Sequence, residues 1–595
     1  MLNREGSEYM IKLFRYFTKK DYCILFFVVS LVIFSVFLDL RTPEYMSKIT
    51  RLVQTDDSTM KEILITGGHM LLCAVLSLAC TICVGFFTSL LSARFSRTIR
   101  RKIFEKVESF GLQEIKKFST SSLITRTTND VTQIESLIAM GLQLLIKSPV
   151  MAVWALLKII GKSGELSLVT FTGVIIIVVT NLIIISIVSP RFARIQKLTD
   201  QLNGVTRENL TGIRVVHAFN AEKFMQKRFN NVNEELSGIH LKITRTFALM
   251  DPVMNFVMHF QHLGIYVIGA YLIINSSLMN KITMFSNMVV FSSYGIQVII
   301  SFLMLTFIFM IFPRAKVSAN RINEVLDEEV SIKDGNFAGD VSEVGTVEFD
   351  NVSFKYPDAD EYLLKNISFK VNKGETIAFI GSTGSGKSSL INLVPRLYDV
   401  TDGVVYVDGV NVKDYCLKDL NNKIGYVPQK AFMFNGTVYD NVSYGDNGKE
   451  KVTLKKVKEA VKIAQGKDFV EKMDQKYNSH IARGGTNVSG GQKQRLSIAR
   501  AIARDPEIYI FDDSFSALDY QTDAKLRHEL KKYTNNSTCM IVAQRIGTIM
   551  NADKIVVLDK GECVGLGTHE ELLKNCDVYR EIAFSQLSEE ELKNA

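Results

Sequence analysis

Long apolar runs crowd the first half of the chain and stop near residue 325. Beyond that point apolar residues come in short bursts between charged and glycine-rich stretches. A helix needs about 20 mostly apolar residues to cross a bilayer. Six runs qualify, near residues 22–40, 63–91, 137–160, 166–188, 253–274 and 284–312. The third is the weakest, because Lys147, Pro149 and Lys158 interrupt it. An even number of spans puts both ends of the apolar half on one side of the membrane.

The segments between spans assign that side. Residues 92–136 and 189–252 are long and carry basic residues close to the spans: Arg94, Arg97, Arg100, Arg101 and Lys102 in the first, Arg191, Arg194 and Lys197 in the second. Basic flanks mark the cytoplasmic side. The loops after spans three and five are very short. The long segments keep helical spacing, as in Ile99, Ile103, Phe104 and Val107. At about 1.5 Å per residue they would project tens of Å into the cytosol. Residues 9–20 mix aromatic and basic side chains, a pattern for an interfacial amphipathic helix. The expected organisation is a membrane domain over 1–325, an acidic, glycine-containing linker over 326–345 and a nucleotide-binding domain over 346–595.

Composition narrows the picture. The chain has 595 residues, too many for one ordinary domain, and a net charge of +8. Some of that charge lies beside apolar spans, so it speaks for membrane orientation and not for a nucleic-acid partner. The eight cysteines are scattered; only Cys80 and Cys83 are spaced C-x-x-C, inside an apolar helix where packing is their expected role. The N-terminus shows no cleavable signal pattern.

The chemistry sits in the second half. Gly381, Ser382, Thr383, Gly384, Ser385, Gly386, Lys387 and Ser388 fit G-x-x-x-x-G-K-[ST], with Ser389 following. The glycines let backbone N–H groups turn toward phosphate oxygens, Lys387 can reach the terminal phosphates, and the Ser388 hydroxyl can ligate Mg²⁺. The apolar run Thr376-Ile377-Ala378-Phe379-Ile380 reads as the buried strand that should enter such a loop. The motif points to ATP or GTP.

An ordered series surrounds it. Tyr356 is placed to stack on an adenine, and Gln429 follows a strand and can offer its amide oxygen to Mg²⁺ or water. Ser489, Gly490, Gly491 and Gln492 lead into a helix, a second anion-binding device. Ile508-Tyr509-Ile510-Phe511-Asp512 is a buried strand ending in a carboxylate able to hold Mg²⁺. Ser516-Ala517-Leu518-Asp519 follows, and a last strand, Met540-Ile541-Val542, leads to Gln544.

Phosphate loop, glutamine loop, S-G-G-Q, strand-end Asp and S-A-L-D, in that order, resemble the ATP-binding cassette (ABC) transporters. Six spans ahead of the cassette resemble an ABC exporter half-transporter. The stretches from Glu208 to Val216 and from Ser122 to Asp130 resemble parts of the inward segments of such exporters. The resemblance implies six transmembrane helices with long cytoplasmic extensions, an all-α membrane domain fused to an α/β P-loop cassette. It also implies ATP and Mg²⁺ as cofactors, and a dimer of halves in which each ATP lies between one phosphate loop and the partner's S-G-G-Q.

Two positions depart from the family pattern. The residue after the strand-end Asp is usually Glu, the general base; here it is Asp513, whose carboxylate is retracted by roughly 1.5 Å. The family's switch histidine is replaced by Gln544, which can donate but cannot become cationic. Loss of one positioned donor typically costs about 10²–10³ in rate. The signature begins with Val488 where Leu is usual, and Arg483 stands where Glu is frequent. The pattern resembles the degenerate half of a heterodimeric exporter: its own site holds ATP and hydrolyses slowly, and its Ser489 segment completes the competent site of a different chain. A homodimer with Asp513 as working base, and a low-turnover ATP-gated regulatory membrane protein, remain open alternatives.

Cargo is less legible. An exporter of this kind moves amphipathic molecules such as drugs, lipids or peptides through the bilayer, here expected to be a bacterial plasma membrane. Lys147, Lys158, His259 and His262 are ionisable at membrane depth, and Met304, Phe307, Phe309 and Met310 are candidates for an adaptable apolar lining. Snorkelling lysines and plain lipid contact are the simpler expectations.

Overall fold

In a computed structural model the described residues are 4–586 apart from 56–57, 161, 276–277, 338, 340 and 342. The chain divides into two compact units. One holds Met1–Glu108 and Ser121–Glu328; the other holds Ser109–Thr120 and Glu329–Ala595.

The first unit is all helix. A short amphipathic helix α1 (Arg4–Phe14) precedes α2 (Lys19–Val53), α3 (Met60–Glu108), and α4 (Leu112–Phe118), which belongs to the second unit. Then come α5 (Thr120–Ile159), α6 (Gly164–Thr211), α7 (Glu222–Ile274) and α8 (Leu278–Leu326). Among the described residues, six helices are long and apolar enough to cross a membrane, and each overlaps one of the six expected spans. Thr18 starts α2 sharply: its hydroxyl accepts from Asp21 N–H, while the Asp21 carboxylate accepts from Thr18 N–H at 2.9 Å. α3 and α6, with 49 and 48 residues, far exceed the bilayer core, so their C-terminal stretches form the expected extensions.

Buried apolar side chains knit the bundle. Val36 and Leu40 of α2, Ala155 and Ile159 of α5, and Phe291 and Tyr294 of α8 share one buried cluster. Ile177 and Ile184 of α6 meet Met250 and Met254 of α7 in another. The lysines that weakened span three do not snorkel alone. Lys147 pairs with Asp39 at 3.1 Å and Lys158 with Glu44 at 2.7 Å, both partners on α2. His259 and Phe307 are exposed on the helix surface, and the side chains of Phe309 and Met310 lie outside the described residues.

The second unit is the α/β half. A four-stranded antiparallel sheet runs in the order β2 (Leu364–Val371), β1 (Val347–Phe354), β4 (Asp402–Val407), β5 (Val410–Asn411). A six-stranded sheet runs β12 (Glu562–Gly567), β11 (Lys554–Asp559), β3 (Thr376–Gly381), β10 (Thr538–Val542), β9 (Ile508–Asp512), β6 (Ile424–Val427). The last five are mutually parallel, and β12 closes one edge antiparallel. A two-stranded ribbon joins β7 (Gly436–Thr437) to β8 (His480–Ile481). Every residue of β9 and β10 is buried, as expected of parallel strands covered on both faces. The segment read as a linker is partly docked: Gly335 N–H donates to Tyr415 O and Phe337 N–H to Asp414 O. The tip Ser109–Thr120 clusters here too, with Glu114 accepting from Gly111 N–H and Ser331 N–H.

Candidate nucleotide site

Four parallel strands end side by side at one place. β3 leads into the phosphate loop, β9 ends at Asp512, β10 leads to Gln544, and β6 leads to Gln429. Ligands of open α/β sheets bind outside such carboxyl ends.

The loop is built for close approach. Gly384 and Gly386 have φ of +87° and +94°, which side-chain-bearing residues rarely adopt. A Cβ on Gly381 would lie 2.0 Å from Leu558 O. Gly386 caps the short helix α9 (Lys387–Ile391). Lys387 Nζ folds over the loop, donating to Gly381 O at 2.8 Å and Ser382 O at 2.7 Å. Burial pulls its pKa below the ordinary lysine value, opposed by Asp513 and Asp512. An ammonium group held this way is poised for anionic oxygens. Ser388 Oγ donates to Asp512 Oδ1 at 2.7 Å. Burial, chiefly, raises the Asp512 pKa, with the Ser388 bond and Lys387 pulling it down and Asp513 pushing it up.

Asp513 is the hub. It sits in the left-handed region at φ +44°, and its N–H donates to Val542 O. Gln544 Nε2 donates to Asp513 Oδ2 at 2.7 Å, and Gln429 Nε2 donates to the same oxygen at 3.2 Å. The residues at the expected base and switch positions therefore bond each other directly. An oxygen that already accepts two amide hydrogen bonds has less capacity left to take a proton from water. Ser388, Asp512 and the amide oxygen of Gln429 are hard oxygen donors of the kind Mg²⁺ takes, so the residues present fit that ion.

Tyr356 lies edge-on to Phe354 at 5.0 Å and Tyr398 at 5.3 Å, which holds its ring upright. Its hydroxyl bonds Ser389 Oγ at 2.7 Å, so Ser389 anchors the tyrosine to the loop helix. Ser489 opens the helix α10 (Gly490–Arg504) in a reciprocal cap with Gln492: Ser489 N–H donates to Gln492 Oε1 and Gln492 N–H to Ser489 Oγ. Ser489 and Gly490 are solvent-exposed, while Gly491 and Gln492 are half-buried, leaving that helix start accessible to another molecule.

Two features escaped the sequence reading. Lys116 of α4 lies 5.6 Å from the Tyr356 ring centroid and 3.7 Å from the Asp358 carboxylate. Gln586, in the helix α11 (Asp577–Gln586), donates to Gln544 O and accepts from Ile546 N–H, both at 2.8 Å. No motif signals either residue, because their partners are remote in the chain.

The comparisons with known proteins give the family. The model of the ABC transporter transmembrane region matches residues 25–298, and that of the ABC transporter matches residues 364–516. The chain is 39% identical over 523 residues to an uncharacterized ABC transporter ATP-binding protein of Mycobacterium tuberculosis, covering 87% of this chain and 88% of the relative. This chain belongs to the ABC transporters. It is an ABC exporter half-transporter, a multi-pass membrane protein whose cassette binds ATP and drives an ATP-hydrolysing translocase. The ATP-dependent lipid A-core flippase of Haemophilus influenzae is 32% identical over 502 residues, 84% of each chain. The Escherichia coli flippase of the same name is 30% identical over 523 residues, 87% of each. A solved bacterial Atm1-family ABC exporter with ATP bound has the same fold, with a TM-score of 0.79 at 22% identity over 95% of this chain and 99% of that one.

Within this site, bound Mg²⁺·ATP would supply the electrophilic phosphorus and a metal that neutralises phosphate charge. The loop N–H groups and Lys387 would hold the phosphates, and Ser388 and Asp512 would hold the ion. Tyr356 would hold the base.

Proposed function

We propose that this ABC exporter half-transporter is the slow-hydrolysing subunit of a heterodimer. Its phosphate loop holds ATP, and its Ser489, Gly490, Gly491 and Gln492 complete the faster site on a different chain. The observation that carries this reading is the Gln429–Asp513–Gln544 knot. The two side chains that would activate water and stabilise the developing charge are short, uncharged on the amide side and bonded to each other. The binding groups beside them are all present.

The cargo is an amphipathic molecule, with a lipid the best-supported class. Relatives at 30–32% identity over most of the chain are named lipid A-core flippases. The cassette and the N-terminus face the cytoplasm of a bacterial plasma membrane, in keeping with the basic flanks of the long extensions.

The test is affinity purification of the chain from its native membrane. The reading expects a second six-span cassette protein with Glu and His at the two altered positions. In the reconstituted pair, Lys387→Ala should impair transport and leave most ATPase activity. A homodimer hydrolysing ATP briskly by itself would overturn the proposal in favour of Asp513 as a working base. That second reading draws on one observation, the retention of a carboxylate at the strand end next to Asp512.

A further inference from the structure

The membrane unit contains an apolar cavity of about 520 Å³ beneath α1. Ile11 and Phe14 of α1, Leu91 of α3, Ile138 and Leu142 of α5, and Phe312 of α8 form much of its wall. Its lining contains no charged side chain. A cavity of about 150 Å³ admits benzene, so one of this size has room for roughly twenty carbons, the scale of a single long acyl chain.

The cavity is framed and does not result from a loosely placed helix. Phe17 meets Phe95 edge-on at 5.0 Å and Tyr22 at 5.7 Å. Asn323 Nδ2 donates to Tyr9 O at 2.8 Å, and Arg15 pairs with Asp327 at 3.0 Å. Ile11 and Tyr22 line the space and are also exposed, by 65% and 49%, so the cavity opens sideways where a bilayer would lie.

Cationic side chains stand at the start of α2, next to the mouth in the chain. Lys19 and Lys20 are exposed at the start of α2, and Lys19 shares a helix face with the wall residue Tyr22. Neither lysine has an ion-pair partner among the described residues. The acid nearest in sequence, Asp21, is turned into the Thr18 cap, accepting from Thr18 N–H at 2.9 Å and Oγ–H at 2.7 Å. Lys12 and Arg15 share Asp327 between them.

We propose that this cavity is a binding site for one bilayer phospholipid. One acyl chain lies under α1, and an anionic headgroup sits at Lys19 and Lys20. The site anchors α1 to the leaflet and does not depend on how the nucleotide site divides its work.

The experiment uses the full chain in phosphatidylcholine nanodiscs. The probe is a phosphatidylglycerol carrying a diazirine near the end of one acyl chain, and a phosphatidylcholine with the same label is the control. After irradiation, peptides containing Phe14 and Leu142 should carry the phosphatidylglycerol label roughly tenfold or more above the control label, the preference two lysines confer at an anionic surface. Leu142→Trp, which fills the cavity, should remove this labelling. Lys19→Glu with Lys20→Glu, which leaves the cavity intact, should abolish the headgroup preference, with labelling of the exposed Phe86 unchanged in both variants. Equal labelling by the two lipids, or labelling that survives Leu142→Trp, overturns the proposal. Should Leu142→Trp fail to elute as a folded protein, the lysine variant decides alone.

Discussion

Gln544 and Asp513 are joined by a 2.7 Å hydrogen bond from the glutamine amide to the aspartate carboxylate. The pair arises from sheet order. β10 lies beside β9 in parallel register, with Val542 opposite Asp512, so the residues just beyond each strand end meet. β6 approaches β9 from the other side, with Val427 opposite Phe511, and delivers Gln429 to the same carboxylate.

On the proposed slow-hydrolysing reading, turnover should be recoverable by substitution. In the reconstituted pair, with the lysine of the partner's own phosphate loop changed to Ala, Asp513→Glu with Gln544→His should raise phosphate release about 10²-fold, since a restored positioned donor and a longer base act on the same step. Asp513→Asn alone should change the slow basal rate by less than about tenfold. Complete loss of turnover in Asp513→Asn would show that the carboxylate still works as the principal base.

Lys387 makes its strong bonds to the loop's own carbonyl oxygens, and nucleotide phosphates are better acceptors for it. Lys387→Ala should weaken ATP binding by roughly 10- to 100-fold, the equivalent of one charge-assisted hydrogen bond. Fluorescent-nucleotide titration of the purified chain reads this directly; unchanged affinity would exclude Lys387 from the phosphate site.

Asp512 predicts a pH dependence. Its pKa is raised, mainly by burial, so its carboxylate takes up a proton at higher pH than an ordinary aspartate. A metal ligand must be ionised. Mg²⁺-dependent ATP binding should therefore fall as pH drops, starting above the usual aspartate range. Ser388→Ala removes a hydrogen bond that lowers this pKa, so the fall should begin at higher pH still. Titration of Mg²⁺ at fixed nucleotide across pH checks both statements, and a midpoint that stays put in Ser388→Ala contradicts the second.

Gly381 has no room for a side chain. A Cβ there meets Leu558 O at 2.0 Å, and the neighbouring strand β11 cannot retreat without breaking its parallel pairing. Gly381→Ala should destabilise the cassette by about 1–3 kcal/mol, as overpacking usually does, and depress ATP binding. Thermal melting with and without ATP separates the two effects; an unaltered melt would mean the loop has an alternative path.

In the membrane unit, Asp39→Asn leaves Lys147 without its 3.1 Å partner at bilayer depth. Folded yield in detergent should fall, and Asp39→Lys with Lys147→Asp should recover part of it. No recovery in the exchanged pair would mean that the two residues contribute independently.

Much of this was legible along the chain. The six spans follow from the transfer of apolar side chains out of water, which depends on local composition alone. The nucleotide motifs were legible because each is a short run whose backbone and side chains act together. The pairings of Lys147 with Asp39 and Lys158 with Glu44 were not, since each joins two different helices. Nor was the bond from Gln586 to Gln544, or the anchoring of Tyr356 by Ser389.

The amino-acid sequence by itself determined that six helices are long and apolar enough to cross a membrane, that a cassette follows, and that Asp513 and Gln544 lie just beyond two apolar strands. Only the tertiary structure decided that those two residues bond each other and share Gln429, and that a cavity lies beneath α1. Spans and loops follow from short-range burial and backbone geometry. The contacts between them depend on which strands and helices become neighbours, a cooperative outcome of packing the whole unit that no local stretch specifies.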